Sequence, residues 1–252
     1  MSGAVGRIEI FPDPLALALH TAEWMTQAAL AARGPFRVSL SGGSTPKTLY
    51  TLLASDEFKA RFPWPRVFWY WGDERFVPYD HPDSNYRITR EAMLAKAPVP
   101  PENIHPMPTD GTPEDAARRY ERTLQEAYGA ATLDQGRPLF DITLLGIGAD
   151  GHTASLLPGE PVLNERKRWV AAVSHGRPEV RITQTYPAIN SSRRVAFLVA
   201  GKDKAAILSA IRSGNSDVPA ARVRPVGELV WFADQAAAGG EQITTAPGAR
   251  TR

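Results

Sequence analysis

The sequence predicts an α/β fold, a doubly wound, mostly parallel sheet with helices on both faces. Three observations carry that expectation. Strand-like and helix-like segments alternate along the chain, the signature of a parallel sheet. Residues 142–147 (Ile-Thr-Leu-Leu-Gly-Ile) form a continuous apolar run with β-branched members, as a strand buried on both faces does. Three strand candidates end near Gly43, Asp73 and His152, each in glycine followed by polar or ionisable side chains. In open α/β sheets the carboxyl ends of the strands are where ligands bind.

Taken in order, residues 7–11 read as a first strand, and Pro12-Asp-Pro14 opens a helix over 14–33. Leu15, Leu19, Ala22 and Trp24-Met25 recur at helical spacing and predict its core-facing stripe. A second strand runs from Pro35 into Ser41-Gly-Gly-Ser-Thr-Pro-Lys47. Thr45 is the expected N-cap, with Pro46 at the first helical position of a helix over 46–53. A glycine turn entering a helix N-terminus exposes N–H groups beside the positive end of the dipole, a design suited to phosphate. It is not a Walker A loop, because Pro46 stands where the glycine before the lysine belongs, and an ordinary capped turn is the competing reading. Residues 66–71 are an aromatic strand ending in Gly72-Asp-Glu-Arg75. There Arg75 can hold an anion, and Asp73 can orient it or act as a base; a surface turn with a local ion pair is the alternative.

Further along, Ser84-Asn85 caps a helix to about residue 97, while His81 and His105 lie in proline-rich loops without a motif. Residues 112–128 form an amphipathic helix. Beyond the central motif, strands are expected over 169–174, 180–183, 193–200 and 229–232, with helices over 185–189 and from Gly201 to about Arg212. Residues 1–234 are expected to form a single domain, and the Ala/Gly/Thr-rich segment 235–252 a flexible tail.

The chemistry centres on the apolar strand and its continuation, Gly146-Ile-Gly-Ala-Asp-Gly-His152. The string matches G-x-G-x-x-G, but a dinucleotide site is disfavoured. Asp150 would stand among the phosphates, no acidic residue ends the next strand, and Pro158 cuts short any following helix. A glycine-rich turn bearing a surface histidine is the blander alternative. Asp150 and His152 stand as two ionisable side chains at the carboxyl end of this buried strand, the edge where open α/β sheets bind ligands.

Composition sets outer bounds. The 252 residues are 43% hydrophobic, enough for one large domain or two small ones. The formal net charge is +2, and basic clusters such as Arg166-Lys-Arg168 lack interleaved aromatics, so no nucleic-acid partner is expected. Zero cysteines exclude disulfides, thiol catalysis and thiolate metal sites. No metal site is expected either, since H-E-x-x-H is absent and Asp150 and His152 alone are too few ligands. Acidic residues occupy the place of a signal peptide's apolar core, and no run approaches ~18 apolar residues, so a cytoplasmic protein without membrane contact is expected.

Ser41-Gly-Gly-Ser-Thr-Pro46, Trp71-Gly-Asp-Glu-Arg-Phe-Val-Pro78, Asp83-Ser-Asn85 and Leu145-Gly-Ile-Gly-Ala-Asp-Gly-His-Thr-Ala-Ser-Leu-Leu-Pro158 together resemble the glucosamine-6-phosphate isomerase/6-phosphogluconolactonase family. The resemblance covers residues 8–233 and implies the fold of glucosamine-6-phosphate deaminases and ribose-5-phosphate isomerases. Deaminases typically carry Asp-Glu-Tyr at the site of Asp73-Glu74-Arg75, and Asn-Glu-Pro at the site of Ser155-Leu-Leu-Pro158. Both departures place the likeness on the lactonase side. It implies hydrolysis of 6-phospho-D-glucono-1,5-lactone to 6-phospho-D-gluconate in the oxidative pentose phosphate pathway, without a cofactor. The implied partner is thus a small phosphorylated sugar lactone, and the implied assembly a monomer or small homo-oligomer. A glucosamine-6-phosphate deaminase or a non-catalytic sugar-phosphate sensor are the rival expectations. By the resemblance His152 is the general base, while Ser41, Gly42, Gly43, Ser44, Thr45 and Arg75 bind substrate. For such a hydrolysis Asp150 or Asp73 orients the imidazole or the water, and the amides of the Gly42-Gly43 and 148–151 turns, with Arg75, are the expected oxyanion donors. Arg181 and Lys204 supply cations to the phosphate, with Lys202 a substitute for the latter.

Overall fold

The computed structural model describes residues 6–214 and 216–240. β1 (Arg7–Phe11) leads into α1 (Pro14–Ala31), β2 (Phe36–Leu40), α2 (Ser44–Leu53) and the short α3 (Asp56–Lys59). β3 (Val67–Trp71) and β4 (Asp73–Arg75) follow, then α4 (Asn85–Thr89), β5 (Ile104–His105) and α5 (Pro113–Tyr128). β6 (Ile142–Leu145), β7 (Val170–Val173), β8 (Arg181–Gln184) and α6 (Tyr186–Asn190) come next. β9 (Arg194–Val199), α7 (Ala205–Arg212) and β10 (Glu228–Asp234) complete the described elements.

Seven strands form one sheet in the order β1-β10-β9-β6-β2-β3-β5, and every pairing in it is parallel. From β2 the chain winds through β3 to β5; from β6 it winds the opposite way through β9 to β10. The reversal falls between the neighbours β2 and β6, which makes the carboxyl ends of those two strands the topological switch point. Alternate residues of β9 and β10 serve two cores. Ala196, Leu198, Val230 and Phe232 pack with Leu17 and Met25 of α1 and Leu49 of α2. Val195, Phe197, Val199 and Trp231 pack with Leu208 and Ile211 of α7, and the Phe197 and Trp231 rings stack at 3.9 Å. Helices therefore cover both faces, as the alternation of elements predicts. Each fully buried large apolar side chain contributes about 1.5–3 kcal/mol.

Several expectations need correction. Residues 169–174 and 180–183 do not extend the parallel sheet: β8 pairs antiparallel with both β4 and β7 in a separate sheet ordered β4-β8-β7. β4 itself was expected as a turn, and β5 within a loop. On α1 the stripe is rotated from the predicted one, since Leu15 and Leu19 are 54% and 40% exposed. The buried face consists of Leu17, Ala18, Thr21, Ala22, Met25, Thr26 and Ala29. Thr45 is not the N-cap of α2. Gly43, with φ +109°, occupies that position without any side-chain cap, so the helix begins at Ser44 and Pro46 is its third residue. Glycine's freedom at positive φ lets the chain enter the helix two residues early. Two other starts follow the expected chemistry: Asp13 and Thr112 accept the N–H of Ala16 and Asp115 at 2.8 and 3.2 Å, each just before a proline. Residues 235–240, assigned to the tail from sequence, form turns in which Ala237 is buried and donates its N–H to Asp234. The rest of that expected tail, 241–252, lies outside the described residues.

Two buried phenols finish β2, which borders the switch point, and its neighbour β3. Tyr50 Oη accepts the Ser41 N–H at 3.1 Å and donates to the Ser41 carbonyl at 2.6 Å, just past the end of β2. Tyr120 Oη does the same for Trp71 at the end of β3, at 2.8 and 3.2 Å. Backbone groups that run out of sheet partners must find others when buried. We expect Tyr50→Phe, which strands both Ser41 groups, to lower unfolding free energy by about 1–3 kcal/mol. A urea titration that gave the wild-type midpoint would show that the phenol carries no such load.

Candidate active site

The three loops singled out from sequence meet at the switch point. They line a cleft of about 240 Å³ with Ser41, Gly42, Gly43, Asp73, Arg75, Gly148, His152, Arg181 and Lys204 among its walls. A larger groove of about 520 Å³ lies between α5 and β7, walled by Glu114, Arg118, Glu121 and Arg122. It offers no imidazole and no glycine turn, which leaves the smaller cleft as the candidate site.

After β2, Gly42 runs so close to Asn85 that a Cβ there would lie 1.9 Å from its Oδ1. After β3, Gly72 donates its N–H to the Leu40 carbonyl at 2.8 Å, and the chain then turns into β4. Asp73, at the start of β4, is almost fully enclosed. Its Oδ2 accepts from Ser155 Oγ at 2.8 Å, and Asn85 Nδ2 donates to its carbonyl at 2.9 Å. Asp73 is therefore a clamp between the loops after β3 and β6. It does not contact His152, which settles which carboxylate pairs with the imidazole.

Glu74, one residue on, is buried beneath the cleft. Oε1 accepts the N–H groups of Arg75 and Asn85, and Oε2 those of Tyr86 and the Ser84 hydroxyl, at 2.8–3.2 Å. It thereby fixes the start of α4 against β4. Burial pushes its pKa up to about 7, with the backbone N–H donors pulling the other way.

After β6, the turn folds back on itself. Gly148 donates to the His152 carbonyl at 3.0 Å and Gly151 to the Gly148 carbonyl at 2.9 Å. These two amides are taken up within the turn, so of the expected oxyanion donors the amides of Gly42, Gly43, Ala149 and Asp150 and the Arg75 side chain remain. A Cβ at Gly148 would sit 2.1 Å from His152 Nδ1, so only glycine lets the imidazole lie over the turn. His152 Nδ1 is 2.5 Å from Asp150 Oδ1, which also accepts the His152 backbone N–H at 3.1 Å. Burial alone would raise Asp150, but the His152 donors and the nearby Arg177 charge hold its carboxyl below the ordinary range. With Nδ1 donating to a carboxylate, Nε2 keeps its lone pair.

Arg75, Arg181 and Lys204 bring positive charge to the cleft. Arg75 on β4 and Arg181 on β8 are direct cross-strand partners, a like-charge pairing that destabilises a sheet unless something compensates it. Arg75 Nη1 donates to the Asp83 carbonyl at 2.6 Å, and Arg181 lies 3.6 Å from Glu179. Yet the Nε of both arginines is buried without a partner. Burial first, then the charge of Arg75, pulls Arg181 below the usual guanidinium range. Lys204 lines the same cleft, whereas Lys202 is exposed and does not. Ser44 and Thr45 open α2 beside the cleft without lining it, and Asp150 stands behind His152 rather than in the wall. Sequence reasoning assigned no role to Asn85, Ser155 or Arg177. Asn85 and Ser155 lay within quoted motifs, but Arg177 sits in a loop with no pattern to mark it. Among the described residues no group of three or more His, Asp or Glu side chains is placed to hold a metal ion.

A sheet-edge cleft that sets an imidazole–carboxylate pair against two under-partnered arginines defines an α/β protein built to act on a small anionic substrate. The model of the glucosamine-6-phosphate isomerases/6-phosphogluconolactonase family matches residues 12–231, and the chain belongs to that family. It is 40% identical over 242 residues to the 6-phosphogluconolactonase of Nostoc sp., covering 93% of this chain and 97% of that protein. It is 40% identical over 248 residues to the 6-phosphogluconolactonase of Rattus norvegicus, covering 93% of each. The crystal structure of 6-phosphogluconolactonase from Thermotoga maritima superposes with a TM-score of 0.78 at 32% identity, over 90% of this chain and 99% of that one. A monomeric glucosamine-6-phosphate deaminase, at 21% identity and TM-score 0.79, shares the fold.

Two outcomes follow from the charges. Inorganic phosphate at ten times its dissociation constant should stabilise the protein by about 1.4 kcal/mol; in Arg181→Ala that thermal shift should vanish, and an equal shift in both would place the anion elsewhere. A carboxyl whose pKa is raised on folding stabilises below its ordinary value, about 4.5, and loses that contribution as pH rises through about 7. The stability of wild type relative to Glu74→Gln should therefore fall between pH 4.5 and 7; a constant difference across that window would refute the assignment.

Proposed function

We propose that this chain hydrolyses 6-phospho-D-glucono-1,5-lactone to 6-phospho-D-gluconate, with His152 as the general base. The observation that carries the reading is the Asp150–His152 pair, with its Nε2 lone pair in the same small cleft as Arg75, Arg181 and Lys204. A lactone carbonyl and a phosphate at opposite ends of one sugar chain match the imidazole and the cations. The names of the relatives support the same reaction.

In the proposed sequence, the guanidinium groups of Arg75 and Arg181 and the Lys204 ammonium, which line the cleft, take the phosphate. His152 Nε2 removes a proton from water as its oxygen attacks the lactone carbonyl. Asp150 stabilises the resulting imidazolium through Nδ1. The tetrahedral oxyanion is met by the Gly42-Gly43 amides. Its collapse breaks the bond between the carbonyl carbon and the ring oxygen, and that oxygen takes the proton back from His152. The products are a regenerated neutral imidazole and the open carboxylic acid, which releases its proton to solvent to give the carboxylate. Asp73 acts by clamping the loops, not by touching the base. Among the described residues no helix is long and apolar enough to cross a membrane.

His152→Ala should keep the wild-type circular dichroism spectrum while kcat for the phosphorylated lactone drops by about 10²–10⁴. The rate is to be read above spontaneous ring opening. A variant with near-full activity would remove His152 from the mechanism.

A further inference from the structure

Outside the cleft wall, one cation touches both members of the proposed base pair. Arg177 Nη2 lies 3.1 Å from Asp150 Oδ2 and 3.2 Å from His152 Nδ1. It is carried by the loop joining β7 to β8, where Gly176, at φ +77°, packs against the segment after the catalytic turn. A Cβ on Gly176 would lie 2.9 Å from Leu157 Cδ1 and 3.2 Å from Glu160 Oε1, so this loop is seated closely enough to aim the side chain that follows.

The two contacts cannot both be hydrogen bonds with the same tautomer. Nδ1 carries either a proton or a lone pair. With the proton, it donates to Asp150 Oδ1 at 2.5 Å and leaves Nε2 basic. With the lone pair, it accepts from Arg177 at 3.2 Å, and the proton moves to Nε2, where it blocks base catalysis. The shorter contact to a carboxylate selects the first arrangement. Arg177 then bonds to Oδ2 alone, and Asp150 is locked at both oxygens: Oδ1 by the His152 ring and backbone N–H, Oδ2 by the guanidinium. In that place a permanent positive charge also opposes formation of imidazolium, while Asp150 favours it.

The other charges facing the cleft are engaged elsewhere. Asp73 is held by Ser155, Arg75 by the Asp83 carbonyl, Arg181 by Glu179, and Lys204 by Asp203 at 2.8 Å. On the loop that packs against Gly151, Asp217 pairs with Arg222.

We propose that Arg177 is a positioning residue that fixes the catalytic tautomer of His152 through Asp150 and sets the pH below which the base is lost. The inference rests on His152 being the base. Its test pairs Arg177→Gln and Arg177→Lys with two measurements, the pH profile of kcat/KM and the NMR titration of the His152 ring without substrate. In Arg177→Gln the acid limb and the ring titration should both move upward by roughly half a pH unit or more, with KM little changed; Arg177→Lys should restore most of the shift. An unmoved ring titration in Arg177→Gln overturns the proposal. So does a rise in KM with an unmoved acid limb, which would make Arg177 a substrate ligand. Because the ring titration needs no lactone, it reports on Arg177 even if the hydrolysis assigned to the cleft were wrong.

Discussion

Parallel strands all stop at the same edge, and each leaves backbone donors and acceptors that the sheet no longer satisfies. At the switch point of this protein those groups are met by side chains. Tyr50 brackets Ser41, Tyr120 brackets Trp71, and Gln184 Nε2 adds a bond to the Trp71 carbonyl at 3.0 Å. Glu74 gathers three backbone N–H groups and a hydroxyl where β4 meets α4. Fixed in this way, the strand ends hold a small cleft open without spending its polar wall on their own needs. The Nε atoms of Arg75 and Arg181 are left buried without a partner.

The same cleft concentrates interactions that lower stability. Two arginines face each other across β4 and β8, and Ala154, in the cleft wall, is a non-glycine residue at φ +48°. Such conformations cost of order 1–3 kcal/mol. A phosphate would relieve the first of these strains, so binding energy gained at one end of the substrate is available to hold the reacting carbonyl at the other. The imidazole end follows a separate logic. There Asp150 and Arg177 apply opposite charges to one ring, and the balance sets when the base is neutral.

Much of this was legible in the sequence because it depends on local signals. The run at 142–147 declares a buried strand, and the glycines around Asp150 and His152 declare a turn that brings them to its end. The positions of Arg75 and Lys204 also follow from strand ends. What the sequence concealed depends on partners far along the chain. Four residues such as Arg181–Gln184 look alike whether they join a parallel sheet or pair antiparallel with Asp73–Arg75 more than a hundred positions away. Arg177 has no local pattern, since its meaning comes from the loop that carries it across to Asp150. The helix start was misplaced by two residues because Pro46 read as a first position, while Gly43 at positive φ had already turned the chain. The oxyanion expectation failed at Gly148 and Gly151 because glycine marks a tight turn without telling which amides the turn consumes.

The central claim is that the imidazole and the cationic wall serve opposite ends of one substrate. The most direct measurement is kcat/KM for 6-phospho-D-glucono-1,5-lactone against the same lactone without its phosphate, each corrected for uncatalysed opening. If the wall holds the phosphate through charge-assisted bonds worth about 1.5–3 kcal/mol, removing it should reduce kcat/KM on the order of tenfold to a hundredfold or more. Equal values for the two lactones would contradict the account.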